Sequence, residues 1–242
     1  MVTTSDLPTE RGSASERVYR VVKEQILACQ MAPGTSINEG RLAELMEVSK
    51  TPVREALAIL AHEGFVDVLP RQGYRVRELA LDDVQEIFQM LLLLEPAAAR
   101  LAAEHASADQ LRTLVHLAEE PSGEDPEEFR TFVIRNREFH ARLAEAGGNA
   151  RLAATLTHTL EELQRLYLSG LELRTAVADH GGQHKDLIAA LLKGNHHQAH
   201  DIAVRHIESS RVRVMEALFA AMSVPGGAGV KLNIGSRAKH PQ

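Results

Sequence analysis

Hydrophobic positions recur at helical spacing along most of the chain and alternate with polar positions in only one short region. The clearest helical run has apolar residues three or four positions apart: Val53, Ala56, Leu57 and Leu60. Such spacing places them on one face of a helix. Residues 66–76 instead hold two short extended runs around a turn, which predicts a β-hairpin. The pattern predicts a mainly α protein with one small hairpin.

Only helical patterns follow the hairpin. We predict six helices, at about residues 83–105, 108–120, 126–146, 150–170, 179–193 and 197–222. Pro96 lies inside the first of them, so a kink is expected there. Flanking stretches without periodicity predict disordered tails. The predicted organisation is a tail at 1–14, a domain that contains the hairpin at 15–78, an all-helical domain at 79–222 and a tail at 223–242.

The helix that starts near Ser49 has features suited to nucleic acid. Ser49 or Thr51 can cap it, and Pro52 falls in the first turn, where a missing N–H does little harm. Lys50 and Arg54 are four residues apart and project from one face near the N-terminus. Helix N-termini favour phosphate, and both side chains can reach phosphates or guanine edges. A solvated basic face on an ordinary helix would look the same.

The neighbouring segments favour the DNA-binding interpretation. Residues 41–46 form a short amphipathic pattern with Asn38 as its cap, and only a short link around Glu47 separates it from the next helix. That arrangement is typical of a helix-turn-helix. The hairpin with its turn at residues 71–73 then forms a wing beside the second helix.

These residues resemble the GntR family of bacterial transcription regulators over about Val18 to Glu78. The strings that carry the match are Pro33-Gly34, Leu42-Ala43, residues 48–57, Glu63-Gly64 and Gly73-Tyr74. The family usually has Arg where this chain has Lys50, and Lys lacks the fork that grips guanine bidentately. The candidate DNA-binding residues are Arg41, Ser49, Lys50, Thr51, Arg54, Arg71, Gln72 and Gly73.

Charge and composition restrict how such a protein would work. The net charge is −6, and residues 15–78 carry nine basic and nine acidic side chains, so DNA affinity must come from local clustering. The single cysteine, Cys29, fits a reducing cytoplasm. No apolar signal core is present, and Glu95, Pro96 and Arg100 interrupt the longest apolar run. We therefore expect a cytoplasmic protein without a membrane span.

Four residues of the second domain can form a metal site. Asn136 and His140 share one helix face, while His184 and His206 lie on the fifth and sixth predicted helices. Side chains from facing helices commonly build metal sites inside bundles, and imidazole suits Zn, Ni, Cu or Fe. From spacing alone, hydrogen-bonded core histidines are the more common arrangement.

Residues 83–222 are similar to the FCD effector domain of the FadR subfamily. The matching strings are Leu94-Glu95-Pro96 with Ala102-Ala103, Asn136 with Phe139-His140 and Leu143, Gly148-Asn149, His184 with Leu187, Ala190-Leu191 and Gly194, and His206-Ile207. The resemblance implies a divalent metal, Zn or Ni above all, held by Asn136, His140, His184 and His206. Six helices resemble the VanR-like branch.

Two positions depart from the family pattern. The usual first ligand is Asp, and Asn136 offers an oxygen without a charge. Members commonly carry an Arg at the position of Leu91, which leaves Arg165 as the candidate clamp for an effector carboxylate. A solvated surface Arg is the alternative interpretation of Arg165.

The resemblance implies a one-component regulator, usually a repressor, that binds palindromic double-stranded DNA as a homodimer. A small effector, a carboxylate or sugar acid, would bind beside the metal. Two alternatives remain: a helical domain that only dimerises, with structural histidines, and a helical metalloenzyme. No nucleophile elbow or phosphate-binding glycine loop occurs in the sequence, so we expect no enzyme.

Overall fold

A computed structural model describes residues 12–118, 125–169 and 180–222, and the chain divides into two compact units between Glu78 and Leu79. The predicted tail at 223–242 lies outside the described residues, as does most of the tail at 1–14. Residues 13 and 14 of that first tail belong instead to the first helix, because Ser13 and Glu16 form a reciprocal capping box there.

The first unit is a winged helix-turn-helix, and the predicted fold class is confirmed. Its elements are α1 (Ala14–Leu27), β1 (Ser36–Ile37), α2 (Glu39–Leu45), α3 (Lys50–His62), β2 (Val66–Leu69) and β3 (Gly73–Val76). The strands form an antiparallel sheet in the order β1-β3-β2. The sequence did not predict β1, because two residues are too short to show alternation.

The apolar face predicted for α3 forms the centre of this unit. Val53, Ala56, Leu57 and Leu60 are all fully buried. They belong to one cluster with apolar residues of α1, α2 and the sheet, including Val18, Val22, Ile26, Ala43, Phe65 and Val76. This packing fixes α3 on its buried side and leaves the opposite side in solvent.

A polar cluster joins α1 to the end of α3. The Tyr19 hydroxyl donates to the Glu63 carboxylate at 2.7 Å, and Lys23 Nζ donates to Glu63 at 3.1 Å. Burial, followed by the hydrogen bond to Glu63, raises the pKa of Tyr19 above its ordinary value. Tyr19 therefore stays neutral and serves as a donor at physiological pH.

The second unit is helical throughout its described part. Its helices are α4 (Leu81–His105), α5 (Ala108–Leu117), α6 (Pro126–Ala146), α7 (Ala150–Leu168), α8 (His180–Leu192) and α9 (His196–Met222). The first begins two residues earlier than predicted, because Asp83 caps the backbone N–H of Ala80 from inside the helix. It continues through Pro96 as one helix. No helix in the described ranges is long and apolar enough to cross a membrane.

Two apolar clusters fill this unit. One contains Phe88, Leu91, Leu156, Leu166 and Leu218, and the other contains Leu114, Phe139, Leu143, Leu187 and Ala203. Residues of α6 contribute to both clusters. The second cluster adjoins buried polar groups, since the ring of Phe139 stacks on that of His184 at a centroid distance of 4.4 Å.

Gly147 permits α6 to end closely against α4, and its replacement by alanine should destabilise the second unit. An added Cβ would lie 2.9 Å from Leu101 Cβ and 3.3 Å from the Ala98 carbonyl oxygen, where neither atom can rotate away. Overpacking of this kind costs about 1–3 kcal/mol. Urea unfolding of Gly147→Ala and wild type, monitored by circular dichroism, measures the difference in the free energy of unfolding.

Gly148→Asn serves as the control in the same turn. Gly148 has a φ of 74° and no atom within 4 Å of an added Cβ, and Asn tolerates this left-handed conformation. Equal destabilisation by the two substitutions would contradict the proposed close contact at Gly147.

Candidate DNA-binding surface and metal centre

The turn between α2 and α3 is short and well defined. Glu47 adopts a positive φ of 53°, and the Val48 N–H returns to the Ala43 carbonyl oxygen at 3.0 Å. At the start of α2, the Asn38 side chain accepts from the Arg41 N–H, as predicted for its cap. At the start of α3, Ser49 occupies the capping position but its side chain makes no cap hydrogen bond. The Ser49 hydroxyl therefore remains available at the helix N-terminus.

The predicted DNA-binding residues of both helices lie on the surface. Arg41, Ser49, Lys50, Thr51 and Arg54 are all exposed. An added Cβ on Gly40 would lie 3.6 Å from Lys50 Cε, so Lys50 passes close over the first turn of α2. Lys50 and Arg54 are therefore cations in solvent near the N-terminus of α3, where a helix favours phosphate.

Arg54 has a partner that the sequence analysis missed. Its Nε donates to Glu39 Oε2 at 2.6 Å. This hydrogen bond, and next the negative charge of Glu39, raises the pKa of the Arg54 guanidinium. Only spatial proximity reveals the pair, because Glu39 and Arg54 lie on different helices, 15 residues apart.

The wing ends in the predicted turn. Arg71 has a φ of 65° and Gly73 a φ of 93°, while the Gln72 N–H returns to the Leu69 carbonyl oxygen at 3.0 Å. Arg71 and Gln72 are exposed at the tip, and Gly73 is half-buried as the first residue of β3. Contact of these three residues with DNA remains a prediction.

In the second unit, three predicted metal ligands meet. His140 of α6, His184 of α8 and His206 of α9 are buried, and each offers a ring nitrogen within 4.8 Å of the others. The Nε2 atoms of His140 and His184 lie 3.1 Å apart. This is a hydrogen-bond distance between the two rings, and it is also close to the separation of about 3.0–3.4 Å expected for two nitrogens bound at about 2.1 Å to one octahedral or tetrahedral ion.

The fourth predicted ligand, Asn136, lies one helical turn before His140 on α6. Its Oδ1 atom is buried and has no hydrogen-bond partner among the described residues. A buried amide oxygen without a partner is costly, and coordination to a cation would satisfy it. The donor set of three imidazoles and one amide oxygen fits a divalent transition metal.

Two further side chains contact the histidines from outside. Glu95 Oε1 of α4 lies 3.0 Å from His140 Nδ1, and Gln183 Oε1 of α8 lies 2.8 Å from His206 Nδ1. The sequence analysis assigned neither residue to the site. One sequence feature could have identified Glu95, its position as a lone acid in an apolar run. No sequence feature indicated Gln183.

Arg165 is the largest of the fully buried side chains, at 1% exposure, so its interpretation as a solvated surface residue is wrong. It lies on α7, one turn after Glu161, which is also buried and approaches Arg137 at 3.8 Å. A buried guanidinium is stable only when its charge is balanced.

Family comparisons account for both units. Residues 14–76 match the gntR family of bacterial regulatory proteins, and residues 86–209 match the FCD domain. The matched ranges fall on either side of the boundary between the two compact units.

Three curated relatives have names that state a regulatory role. The HTH-type transcriptional regulator YdhC of Bacillus subtilis is 32% identical over 58% of this chain, and the match spans 63% of that protein. The Nta operon transcriptional regulator of Aminobacter aminovorans is 26% identical, with 79% of this chain and 90% of that protein covered. A probable D-xylose utilization operon transcriptional repressor of Paenarthrobacter nicotinovorans is 27% identical, with 81% and 87% covered.

Solved structures share the fold. McbR/YncC of Escherichia coli has a TM-score of 0.73 at 22% identity, with 86% of this chain and 100% of that chain covered. A putative GntR regulator from Rhodococcus has a TM-score of 0.74 at 20% identity, with 85% and 99% covered. With a winged helix-turn-helix that matches the gntR family and a helical unit that matches the FCD domain, the chain belongs to the GntR family of DNA-binding transcriptional regulators.

Proposed function

We propose that this regulator represses transcription by binding a palindromic operator as a homodimer. In the proposal, a small carboxylate or sugar acid bound beside a divalent metal ion in the FCD unit relieves repression. The observation that carries the proposal is the buried cluster of three imidazoles on three helices. The named repressor among the relatives supports the direction of the response.

The DNA-binding part of the proposal rests on the surface at the start of α3. Lys50 and Arg54 are exposed near the N-terminus of α3, with Arg54 paired to Glu39 of α2, and exposed Arg71 and Gln72 lie at the wing tip. A recognition helix of this kind reads bases in the major groove from its N-terminal residues. We assign base contacts to Lys50 and Arg54, and backbone or minor-groove contacts to the wing.

Arg54→Ala should reduce operator affinity by about tenfold or more if Arg54 reads a guanine edge. Affinity for unrelated DNA should then change much less, because loss of a phosphate contact would weaken all sequences alike. Fluorescence anisotropy with operator and scrambled duplexes at one salt concentration measures both. Arg100→Ala, an exposed arginine on α4, is the charge-matched control. Operator affinity unchanged by Arg54→Ala would contradict the assignment.

A second copy of the chain is the proposed occupant of an exposed apolar surface on the FCD unit. Met90 and Leu93 of α4 and Val212 and Phe219 of α9 are exposed, and these two helices pack together. One recognition helix covers only a few base pairs, so two copies on a palindrome supply the missing specificity.

Leu93→Asp should therefore shift the protein from dimer to monomer. Leu93 is 71% exposed, so the substitution leaves the protomer core intact while placing a charge in the proposed interface. Sedimentation velocity at micromolar concentration measures the assembly. Leu192→Asp, at an exposed position of α8, should remain dimeric. A wild-type protein that sediments as a monomer would refute the proposed dimer.

The proposed metal is Zn or Ni, held by His140, His184, His206 and the Asn136 oxygen. A bound ion supplies a positive charge and open positions for an acidic ligand. Because the ligands come from α6, α8 and α9, the same residues would join three helices. Arg165 is the proposed clamp for the effector carboxylate, since a guanidinium binds carboxylate bidentately.

His184→Ala should lose most bound metal, whereas Asn136→Asp should bind it about tenfold or more tightly, because a carboxylate adds an attractive charge. Asn136→Asp should also weaken binding of an acidic effector, since the site keeps less positive charge. Metal content by mass spectrometry and thermal-shift screening against carboxylates and sugar acids measure these effects. His200→Ala, outside the cluster, is the control.

Full metal occupancy in His184→Ala would show that the histidines are structural and the FCD unit only dimerises. Turnover of candidate acids by the metal-loaded protein would instead support a helical metalloenzyme. If Asn136→Asp changes neither affinity, the site stands and the charge argument fails.

A further inference from the structure

Glu95 is a fully buried carboxylate on an otherwise apolar stretch of α4. It has 0% exposure and lies between Leu94 and Pro96, one turn after the buried Leu91. Neither carboxylate oxygen has a well-aligned hydrogen bond to any described residue. The group in closest contact is His140 Nδ1, at 3.0 Å from Oε1. Burying a carboxylate without a partner is costly, so this contact needs an explanation.

The ring nitrogen of His140 that faces Glu95 is in the same situation. Its Nδ1 also has no aligned hydrogen bond to a described residue, although it lies 3.0 Å from Glu95. Its other nitrogen, Nε2, faces His184 Nε2 at 3.1 Å. A small rotation of the carboxylate or the ring aligns the Nδ1–H with Glu95. The ring then has its proton on the outer nitrogen and a free lone pair toward the other histidines.

His206 has the same division of its two nitrogens. Its Nδ1 lies 2.8 Å from Gln183 Oε1, while Gln183 Nε2 donates to Ser209 Oγ at 3.3 Å. The Ser209 hydroxyl in turn donates to the His206 carbonyl oxygen at 3.0 Å. The Ser209 hydroxyl also lies 3.5 Å from Gln183 Oε1, and its shorter bond to the His206 carbonyl oxygen favours the amide orientation with its oxygen toward the ring. An amide oxygen can only accept, so His206 carries its proton on Nδ1 and presents Nε2 inward.

We propose that Glu95 and Gln183 are positioning residues for the metal ion, and that each fixes its histidine with Nε2 toward the ion. The inference rests on the proposed metal centre and adds the outer contacts on which its affinity depends. Outer-shell acceptors of this kind orient ligating imidazoles and raise their basicity. They also add a fourth helix to the site, because Glu95 brings α4 to ligands that come from α6, α8 and α9.

A purely structural role for Glu95 makes a different prediction. If the carboxylate only joined α4 to α6, its loss would destabilise the fold without a selective effect on metal affinity. Glu95→Leu would then change the free energy of unfolding and leave zinc affinity unchanged.

The test is a zinc titration of the metal-stripped 242-residue chain against a chromophoric chelator. Glu95→Leu should weaken zinc binding by about 10- to 100-fold, the usual effect of losing an outer-shell partner. Glu95→Gln should lose less, because its amide oxygen can still accept from Nδ1–H. Asp83→Asn is the matched control, since Asp83 is a buried acid of α4 that binds the Ala80 N–H instead. Circular dichroism verifies that each variant is folded.

A second measurement needs no variant. Long-range ¹H–¹⁵N NMR of the metal-free wild type should show His140 and His206 protonated on Nδ1. Protonation of His140 on Nε2 alone would overturn the inference, even if Glu95→Leu does not fold. Zinc affinity of a folded Glu95→Leu within twofold of wild type would also overturn it while leaving the proposed metal centre intact. Absence of zinc binding by the wild type would instead refute the proposed centre itself.

Discussion

Polar side chains that are buried in the FCD unit need hydrogen-bond, ionic or metal partners inside it. This requirement determines which side chains face one another between its helices. Three imidazoles, an amide oxygen and a carboxylate are buried among apolar helices. An unpaired buried polar group costs roughly 1–3 kcal/mol, and the Asn136 amide oxygen and the Glu95 carboxylate have no aligned hydrogen bond to a described residue. Together they can satisfy one another around a cation. The arrangement links four helices through a few side chains, and their loss would affect ligand binding and helix packing at once.

In the winged unit, the polar side chains proposed to act are exposed rather than buried. Its apolar face is sealed against α1 and the sheet, while the side chains proposed to meet DNA remain in water. The Arg54–Glu39 pair is exposed, so it contributes little to stability. The pair instead orients the Arg54 guanidinium. Because Glu39 accepts from Nε, the two terminal nitrogens point to another acceptor. A negative residue can thus assist a DNA-binding surface by fixing the direction of a cation.

Periodicity was sufficient to predict the helices, because their buried faces are continuous. Val53 and Leu57 are buried as their spacing requires, and the helical segments of the second unit end within a few residues of the predicted positions. Periodicity could not reveal β1, which has two residues, or the Ser13 cap, which lies before the first apolar position. Short elements depend on tertiary pairing rather than on a pattern of their own.

The site was predictable only as far as residue type carries information. Histidines on three helices indicated a metal centre, and the structure brings three of them together. Glu95 and Gln183 acquire their significance from the atoms beside them, at 3.0 and 2.8 Å, and no sequence spacing encodes those distances. For Arg165, residue type suggested the wrong environment. An arginine in sequence suggests solvent, whereas packing of α7 makes this one part of the interior.

Charge connects the buried centre to its proposed effector. Asn136 adds no negative charge to the ligand set, so an ion held there would keep more of its positive charge than in a site with aspartate. Buried Arg165 adds a second cation in the same unit. An acidic effector bound beside the ion would supply a counter-charge, and its binding would favour the helix arrangement that holds the ion. Such a ligand changes DNA binding only if it binds one arrangement more tightly than another. In the proposed function, the charges of the ion and the effector would provide that difference, because the cost of burying them depends on how closely the surrounding helices pack.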